Sequence, residues 1–276
     1  MELTKEDINN ECAHNIKSKD SCLDSNIIKN LSVLVNKNNK IINEDKDIIS
    51  NLKKVYDCIT DSCLLENRDV INTLGQTVVN DQLDNNFKPD GSLDKNDWLS
   101  NSDIDSVLSQ VNKKDGNNIF KHINFQMRDF EKTGSELASI DFANEYKNNG
   151  IRCFGVVFND DVSTGNGTHW TAMFGDFRKE PFTIEHFNSS GAGPQNEMRI
   201  WMKKTKMKLE KELNVTVNVI EVSKVQHQMD NSSCGPYSLY YIMSRLEGIS
   251  SDVFQKNRIP DSTMWEFRKI LFRKNK

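Results

Sequence analysis

Trp170 to Phe177 and Phe182 to Phe187 are short runs of aromatic and branched residues, separated by a polar break at Arg178-Lys179. That pattern reads as the two strands of a hairpin. A third run, Ile151 to Phe158, is compact and apolar apart from Arg152, and reads as a buried strand. Val215 to Val222 alternates, and reads as a half-buried strand. The hairpin also constrains what its ends can touch. If Phe177 pairs with Glu180, the same antiparallel register sets His169 opposite Asn188, with Cβ atoms ~5 Å apart on one face. Asn188 could then accept the Nδ1–H of His169 and fix its tautomer.

Helical patterns surround these strands, so the fold class is α+β. Trp98-Leu99 followed by Ile104, Val107, Leu108 and Val111 predicts an amphipathic helix, with Ser100 or Ser102 as its N-cap. Met198, Trp201, Met202, Thr205, Leu209 and Leu213 line one face of a Lys-rich helix. Tyr237, Tyr240, Ile242, Met243 and Leu246 mark a buried helix after Cys234. A last helix starts near Asp261. Residues 1–83 predict loosely packed helices from Ile27, Ile28, Leu31 and Val35, then Ile48, Ile49, Leu52 and Val55, with a polar break at Asn36-Lys37-Asn38-Asn39-Lys40. Turn chemistry at 84–96 marks a boundary, which divides the chain into 1–83 and 84–276.

Of the 276 residues only 36% are hydrophobic, and the net charge is −4. A basic excess suited to nucleic acid is missing, and no apolar run approaches the ~20 residues that cross a bilayer. The N-terminus has no apolar stretch of signal-peptide type, so the six cysteines are expected as free thiols. Cys12, His14, Cys22, Cys58 and Cys63 lack the C-x₂-C spacing of a zinc site, so neither metal nor cofactor is expected.

One cysteine stands apart. Cys234 precedes Gly235-Pro236 at a helix start, and proline is favoured in a first turn because its missing N–H would be unpaired there. The helix dipole and open N–H groups at such a position stabilise a thiolate. Five histidines could serve as its base. His14 and His122 sit in polar stretches, His186 lies mid-strand, and His227 lies between two glutamines. His169 closes a flexible loop and opens a strand, which holds a side chain firmly at an exposed place. Asp176 and Glu185 are rival orienters, but the hairpin register does not set them opposite His169. Gln228, six residues before Cys234, could join the Cys234 N–H in an oxyanion hole, with Gln226 as the alternative.

Thr168-His169-Trp170, Phe187-Asn188-Ser189 and Gln228-x5-Cys234-Gly235 together resemble the ubiquitin-like-protein proteases of the adenain/sentrin-protease group, in that family's chain order. Papain-like enzymes share the Gln-x5-Cys spacing but put Cys before His, and no histidine follows Cys234. Glu11-Cys12-Ala13-His14, Lys19-Asp20-Ser21-Cys22-Leu23, Arg199-Ile200-Trp201-Met202 and Phe267-Arg268-Lys269 extend the resemblance, over nearly the whole chain, to polyprotein-processing proteases of large DNA viruses. That resemblance implies a central mixed sheet flanked by helices, with an N-terminal helical arm. It implies a cysteine endopeptidase in which His169 is the base, Asn188 the orienter, Gln228 the oxyanion donor and Cys234 the nucleophile. It implies that Trp170 and Trp98 wall a tunnel for Gly-Gly-Xaa segments of viral structural polyproteins. The enzyme would act as a monomer in the host cytoplasm and the virion core. Cellular relatives carry Asp where this chain has Asn188. Asn cannot balance an imidazolium, so a less ionised Cys–His pair is expected. A deubiquitinating or deSUMOylating isopeptidase and an acetyltransferase using the same triad are the alternative activities.

Overall fold

The computed structural model describes residues 4–5, 8, 10–13, 21–36, 45–112 and 119–273. His14 and most of the polar break, residues 37–40, lie outside them. The arm's helices with both ends among the described residues are α1 (Ser25–Asn36), α2 (Asp45–Val55), α3 (Asp61–Leu65), α4 (Arg68–Leu74) and α5 (Gln76–Asn86). Their inward residues, among them Ile28, Leu31, Ile48, Ile49, Leu52, Leu64 and Val70, close on Phe87 as a cluster of their own. The helical spacing in the sequence picked out most of these positions, although Val55 faces solvent.

The cysteines depart from expectation. Cys12 is joined to Cys22, and Cys58 to Cys63, as disulfides. Only Cys153 and Cys234 are free among the described residues. Compartment arguments do not see geometry. Packing of the arm sets Cα atoms 5.1 Å and 5.6 Å apart in the two pairs, within bridging range.

Residues 88–99 run from the arm toward Ser232 and Gly235 as a strap. Lys88 Nζ donates to the Lys269 carbonyl, and Asp90 pairs with Arg273. Beyond the strap, Ser100 opens α6 (Asn101–Asn112). The Asp103 N–H donates to Ser100 Oγ at 3.2 Å, and the Ser100 N–H donates to Asp103 Oδ2 at 2.7 Å. This reciprocal pair satisfies two N–H groups that helix geometry leaves open.

One mixed sheet forms the rest of the core. Its strands are β1 (Phe120–His122), β2 (Gln126–Met127), β3 (Cys153–Asn159), β4 (Trp170–Asp176), β5 (Phe182–Phe187) and β6 (Val217–Val222), in the order β1-β3-β4-β5-β6. β1 and β2 run parallel to successive halves of β3, while β3–β4 and β4–β5 are antiparallel. β6 is parallel to β5. The short β1 and β2, and the helices α7 (Phe130–Thr133), α8 (Glu136–Ser139) and α9 (Phe142–Asn148), have too few residues to show a period, and the sequence did not reveal them.

Side chains alternate across the strands. Phe154, Val156, Phe158, Met173 and Ile184 face α10 (Asn196–Leu213), with Met198, Trp201 and Met202. Cys153, Val157, Ala172, Phe174 and Phe187 face the other way, toward α11 (Cys234–Leu246). Helix α11 is buried from Cys234 to Arg245. Two further helices, α12 (Ser251–Lys256) and α13 (Asp261–Leu271), close that side.

The hairpin register differs from expectation by two residues. Asp176 pairs with Thr183 and Ala172 with Phe187. The connection is not a two-residue turn at Arg178-Lys179 but the whole segment 177–181. Pro181 has no N–H to offer a ladder, and Phe177 is buried against Phe142, Phe154 and Phe182. The Arg178 guanidinium grips Asp176 and the carbonyls of Arg245 and Leu246 at the end of α11.

Candidate active site

Continuing the observed register by one residue sets Asn188 opposite Thr171 rather than His169. His169 is then its diagonal neighbour, still on the same face and within reach. The contact forms through Nε2, at 2.8 Å from Asn188 Oδ1, not through Nδ1 as the direct pairing implied. The Ser190 N–H and the Ser190 hydroxyl also donate to Asn188 Oδ1, at 2.9 Å and 2.8 Å. A backbone N–H can only donate, so Oδ1 is the acceptor. His169 must therefore carry its proton on Nε2, which leaves Nδ1 with a lone pair.

Cys234 opens α11 and is 1% exposed. Burial raises its thiol, while the N–H groups of Trp170, Gly235 and Cys234 itself pull it down and the Asp230 carboxylate raises it further. The net direction is upward. The helix start acts as expected but is outweighed by desolvation. Burial thus works against ionisation of Cys234, whose thiol meets the backbone N–H of Trp170, the residue that follows His169.

Gln228 belongs to the same turn system. Its backbone N–H donates to the Ser189 carbonyl at 3.0 Å, and its Oε1 accepts from the Ser189 hydroxyl at 2.8 Å. Its Nε2 donates to the Asp230 carbonyl at 3.0 Å and lies 3.3 Å from Asp230 Oδ1. One N–H is free to turn to an oxyanion if that longer bond is given up. Gln226 instead donates to the Gln228 carbonyl.

Asp230 was not singled out from the sequence, yet it builds the turn before Cys234. Its carboxylate accepts from the N–H groups of Ser232 and Ser233, the Ser233 hydroxyl and Trp265 Nε1. Burial pushes this carboxyl up, but those hydrogen bonds prevail and hold it below the usual range. Asp160 was also missed. Burial raises its carboxyl, and the charge of neighbouring His169 lowers it. An acidic pair ending an apolar run, Asp160-Asp161, was the available signal.

The rival residues lie elsewhere. His122 faces Asp105 at 3.3 Å. His227 is buried and accepts the Ile259 N–H on Nδ1. Asp176 pairs with Arg178 at the far end of the hairpin. Glu185 points to the α11 side, where Arg245 and Tyr241 hold it. His186 is buried on the α10 side, and neither ring nitrogen has a partner among the described residues. Burial pushes it down to about 3.

That shift has a sign. An unfolded histidine takes up a proton near pH 6.5, and folded His186 does not until about 3. Its stabilising share is complete above pH 6.5 and is lost as pH falls toward 3. His227 is lowered by burial as well and acts in the same direction. Chemical denaturation at pH 7.5 and 5 is expected to show a loss of roughly 1–3 kcal/mol at pH 5. In His186→Met that loss shrinks by about half or more.

A cavity of about 380 Å³ is lined by the end of the strap and the start of β4. Trp98, Phe125, Met127, Asn166 and Trp170 line it, with Gly165 and Gly167, and none of its lining residues is charged. Trp170 is buried and donates its indole N–H to the Leu99 carbonyl at 3.0 Å. Trp98 is 51% exposed, so it is a rim residue rather than a core tryptophan. A Cβ on Gly235 would stand 3.0 Å from the Leu99 side chain, so the end of the strap presses on the first turn of α11.

The model of the Ulp1 protease family, C-terminal catalytic domain, matches residues 155–276. The chain is 33% identical over 277 residues to the cysteine protease S273R of African swine fever virus, with 95% of each chain covered. The chain belongs to the Ulp1 family of cysteine proteases. The crystal structure of the African swine fever virus pS273R protease superposes on this viral protease with a TM-score of 0.79 at 31% identity, covering 96% of both chains. A putative thiol protease R355 of Acanthamoeba polyphaga mimivirus is 24% identical, over 78% of this chain and 70% of that one. Likeness to the S273R protein includes the helical arm as well as the sheet. The protease is therefore a cysteine protease built on a mixed sheet flanked by helices, as the sequence resemblance implied.

Proposed function

We propose that this protease processes viral structural polyproteins after Gly-Gly-Xaa, with Cys234 as nucleophile, His169 as base, Asn188 as orienter and Gln228 as oxyanion donor. The observation that carries the reading is the uncharged cavity lined by Trp98, Leu99 and Trp170, of which Leu99 packs on Gly235 and the Trp170 backbone N–H acts on the Cys234 thiol. A lining that combines two indoles with Gly165 and Gly167 suits a substrate backbone without side chains.

In the cycle, Nδ1 of His169 takes the Cys234 proton as sulfur attacks the carbonyl carbon. The Cys234 N–H and Gln228 Nε2 receive the oxyanion, and His169 returns the proton to the leaving amine. Water, deprotonated by His169, then cleaves the thioester. No cofactor enters these steps. The same reading has the enzyme acting as a monomer in the host cytoplasm and in virion cores, with residues 1–83 as a docked arm domain.

The test is cleavage of the virus's own structural precursors, with product N-termini read by mass spectrometry. New N-termini directly after Gly-Gly-Xaa are expected, and substituting either glycine by valine should remove them. Cuts at unrelated sequences would overturn the reading. A second activity, release of SUMO-like modifiers, is favoured by a similar relative being named a SUMO-1 cysteine protease. Preferential cleavage of such conjugates over precursor peptides would put it first. Trp98→Ala is expected to lower kcat/KM about 10–30-fold, mainly through KM, because an exposed aromatic wall is lost without disturbing the core.

A further inference from the structure

We propose that Arg268 is a positioning residue of this active site, a buried fork that ties the cavity wall to the turn carrying the nucleophile. The proposal rests on Cys234 being that nucleophile.

Arg268 lies on α13 and is 0% exposed. Its Nη1 donates to the Ser92 carbonyl at 3.3 Å. Its Nη2 donates to the Asp97 carbonyl and, at 3.2 Å, to the Ser232 carbonyl. Ser92 and Asp97 belong to the strap that ends in Trp98 and Leu99, and Ser232 lies two residues before Cys234. One planar side chain therefore holds two separate chain segments in register, which the single point of an ammonium cannot do with the same geometry. The neighbouring contacts repeat the tie. The Ser232 hydroxyl donates to the Lys95 carbonyl, and Lys95 Nζ stands 4.5 Å over the Trp265 ring of α13.

A fully buried cation is costly, and among the described residues its hydrogen bonds go to backbone carbonyls rather than to a carboxylate. Neutral side chains could have joined the two segments at lower cost. The charge has a use where it stands. Burial depresses the guanidinium, while Asp230, Asp97, Cys234 and Asp94 favour its charged form. The attraction to Cys234 is mutual, so Arg268 offsets the opposing effect of Asp230 on the thiol. His169, next to Trp170 on β4, and Asp261 of α13, which accepts the Met229 N–H at 3.1 Å, are further titratable groups about this turn.

The experiment compares Arg268→Gln and Arg268→Lys with the wild-type full chain. Thermal melting establishes the range in which each is folded. Iodoacetamide alkylation of Cys234 against pH, with Cys234→Ala as blank, reports the thiol without any substrate. Kinetics on a Gly-Gly-Xaa peptide report KM and kcat. Arg268→Gln is expected to move the alkylation midpoint to higher pH and to lower kcat/KM by about 100-fold. Arg268→Lys should restore the midpoint yet keep a KM roughly tenfold high, because the charge returns but the fork does not. Folded Arg268→Gln with the wild-type midpoint and kcat/KM would overturn the proposal. If Arg268→Gln does not fold, Arg268→Lys decides, and a wild-type KM sinks the clamp. Should the wild-type chain cleave no Gly-Gly-Xaa peptide, the substrate reading fails while the alkylation profiles still judge Arg268.

Discussion

Cys234→Ala and His169→Ala are each expected to lower peptide hydrolysis by about 10³-fold or more, with the melting temperature nearly unchanged. Each removes a partner without which the proton cannot leave sulfur as it attacks. The double variant should be no worse than either single one, because the two groups act as a unit. Asn188→Ala belongs to a lower tier. It removes the acceptor that fixes Nε2–H, so the imidazole can rotate or present the wrong nitrogen, and a loss of roughly 10–100-fold is expected. Single-turnover kinetics on one peptide, with circular dichroism as a fold check, decide the ranking. Equal losses in all three variants would show that Asn188 does more than orient. Near-wild-type turnover in His169→Ala would remove it as the base.

Glu185→Ala is expected to cost about 3–5 kcal/mol of stability. The carboxylate is completely buried and accepts from Arg245 Nε at 2.7 Å, Arg245 Nη2 at 2.9 Å and the Tyr241 hydroxyl at 2.6 Å. It bolts β5 to α11, the helix that begins with Cys234. Removing it leaves the Arg245 guanidinium in the interior with Asp176, at 3.4 Å, as a remaining acidic partner. Replacing both members by apolar residues of similar volume should cost much less, since neither charge is then stranded. Urea denaturation of the single and double variants measures the difference. Specific activity of whatever remains folded should stay within a few-fold of wild type, because Glu185 faces away from His169. A selective loss of turnover at full stability would instead revive it as an orienter.

Glu185 and Asn188 show how far hairpin arithmetic reaches. Both lie on one predicted strand, and parity alone separates them. Period-two alternation sends Glu185 to one face and leaves Asn188 on the face of His169. Parity survived a register error of two residues, so His169 and Asn188 still meet. The nitrogen that meets Asn188 is a matter of imidazole rotation, which strand parity does not fix. The register itself is settled by the segment 177–181, where Phe177 is buried in the core and Arg178 reaches carbonyls at the end of α11.

The sequence by itself determined the local chemistry of this protein. A proline in the first turn after Cys234, alternation along the strands, and apolar stripes on α10, α11 and α13 are local steric and hydrophobic facts, and the chain needs no distant partner to show them. Tertiary structure decided whatever depends on distance between remote segments. It paired Cys12 with Cys22 and Cys58 with Cys63. It set the short strands β1 and β2 against β3, brought Trp265 to Asp230, and brought Arg268 to both the strap and Ser232. It also reversed the net effect on Cys234. The helix start favours a thiolate, as its local sequence says, but the strap and β4 cover the sulfur, and desolvation by residues far away in the chain is the larger effect.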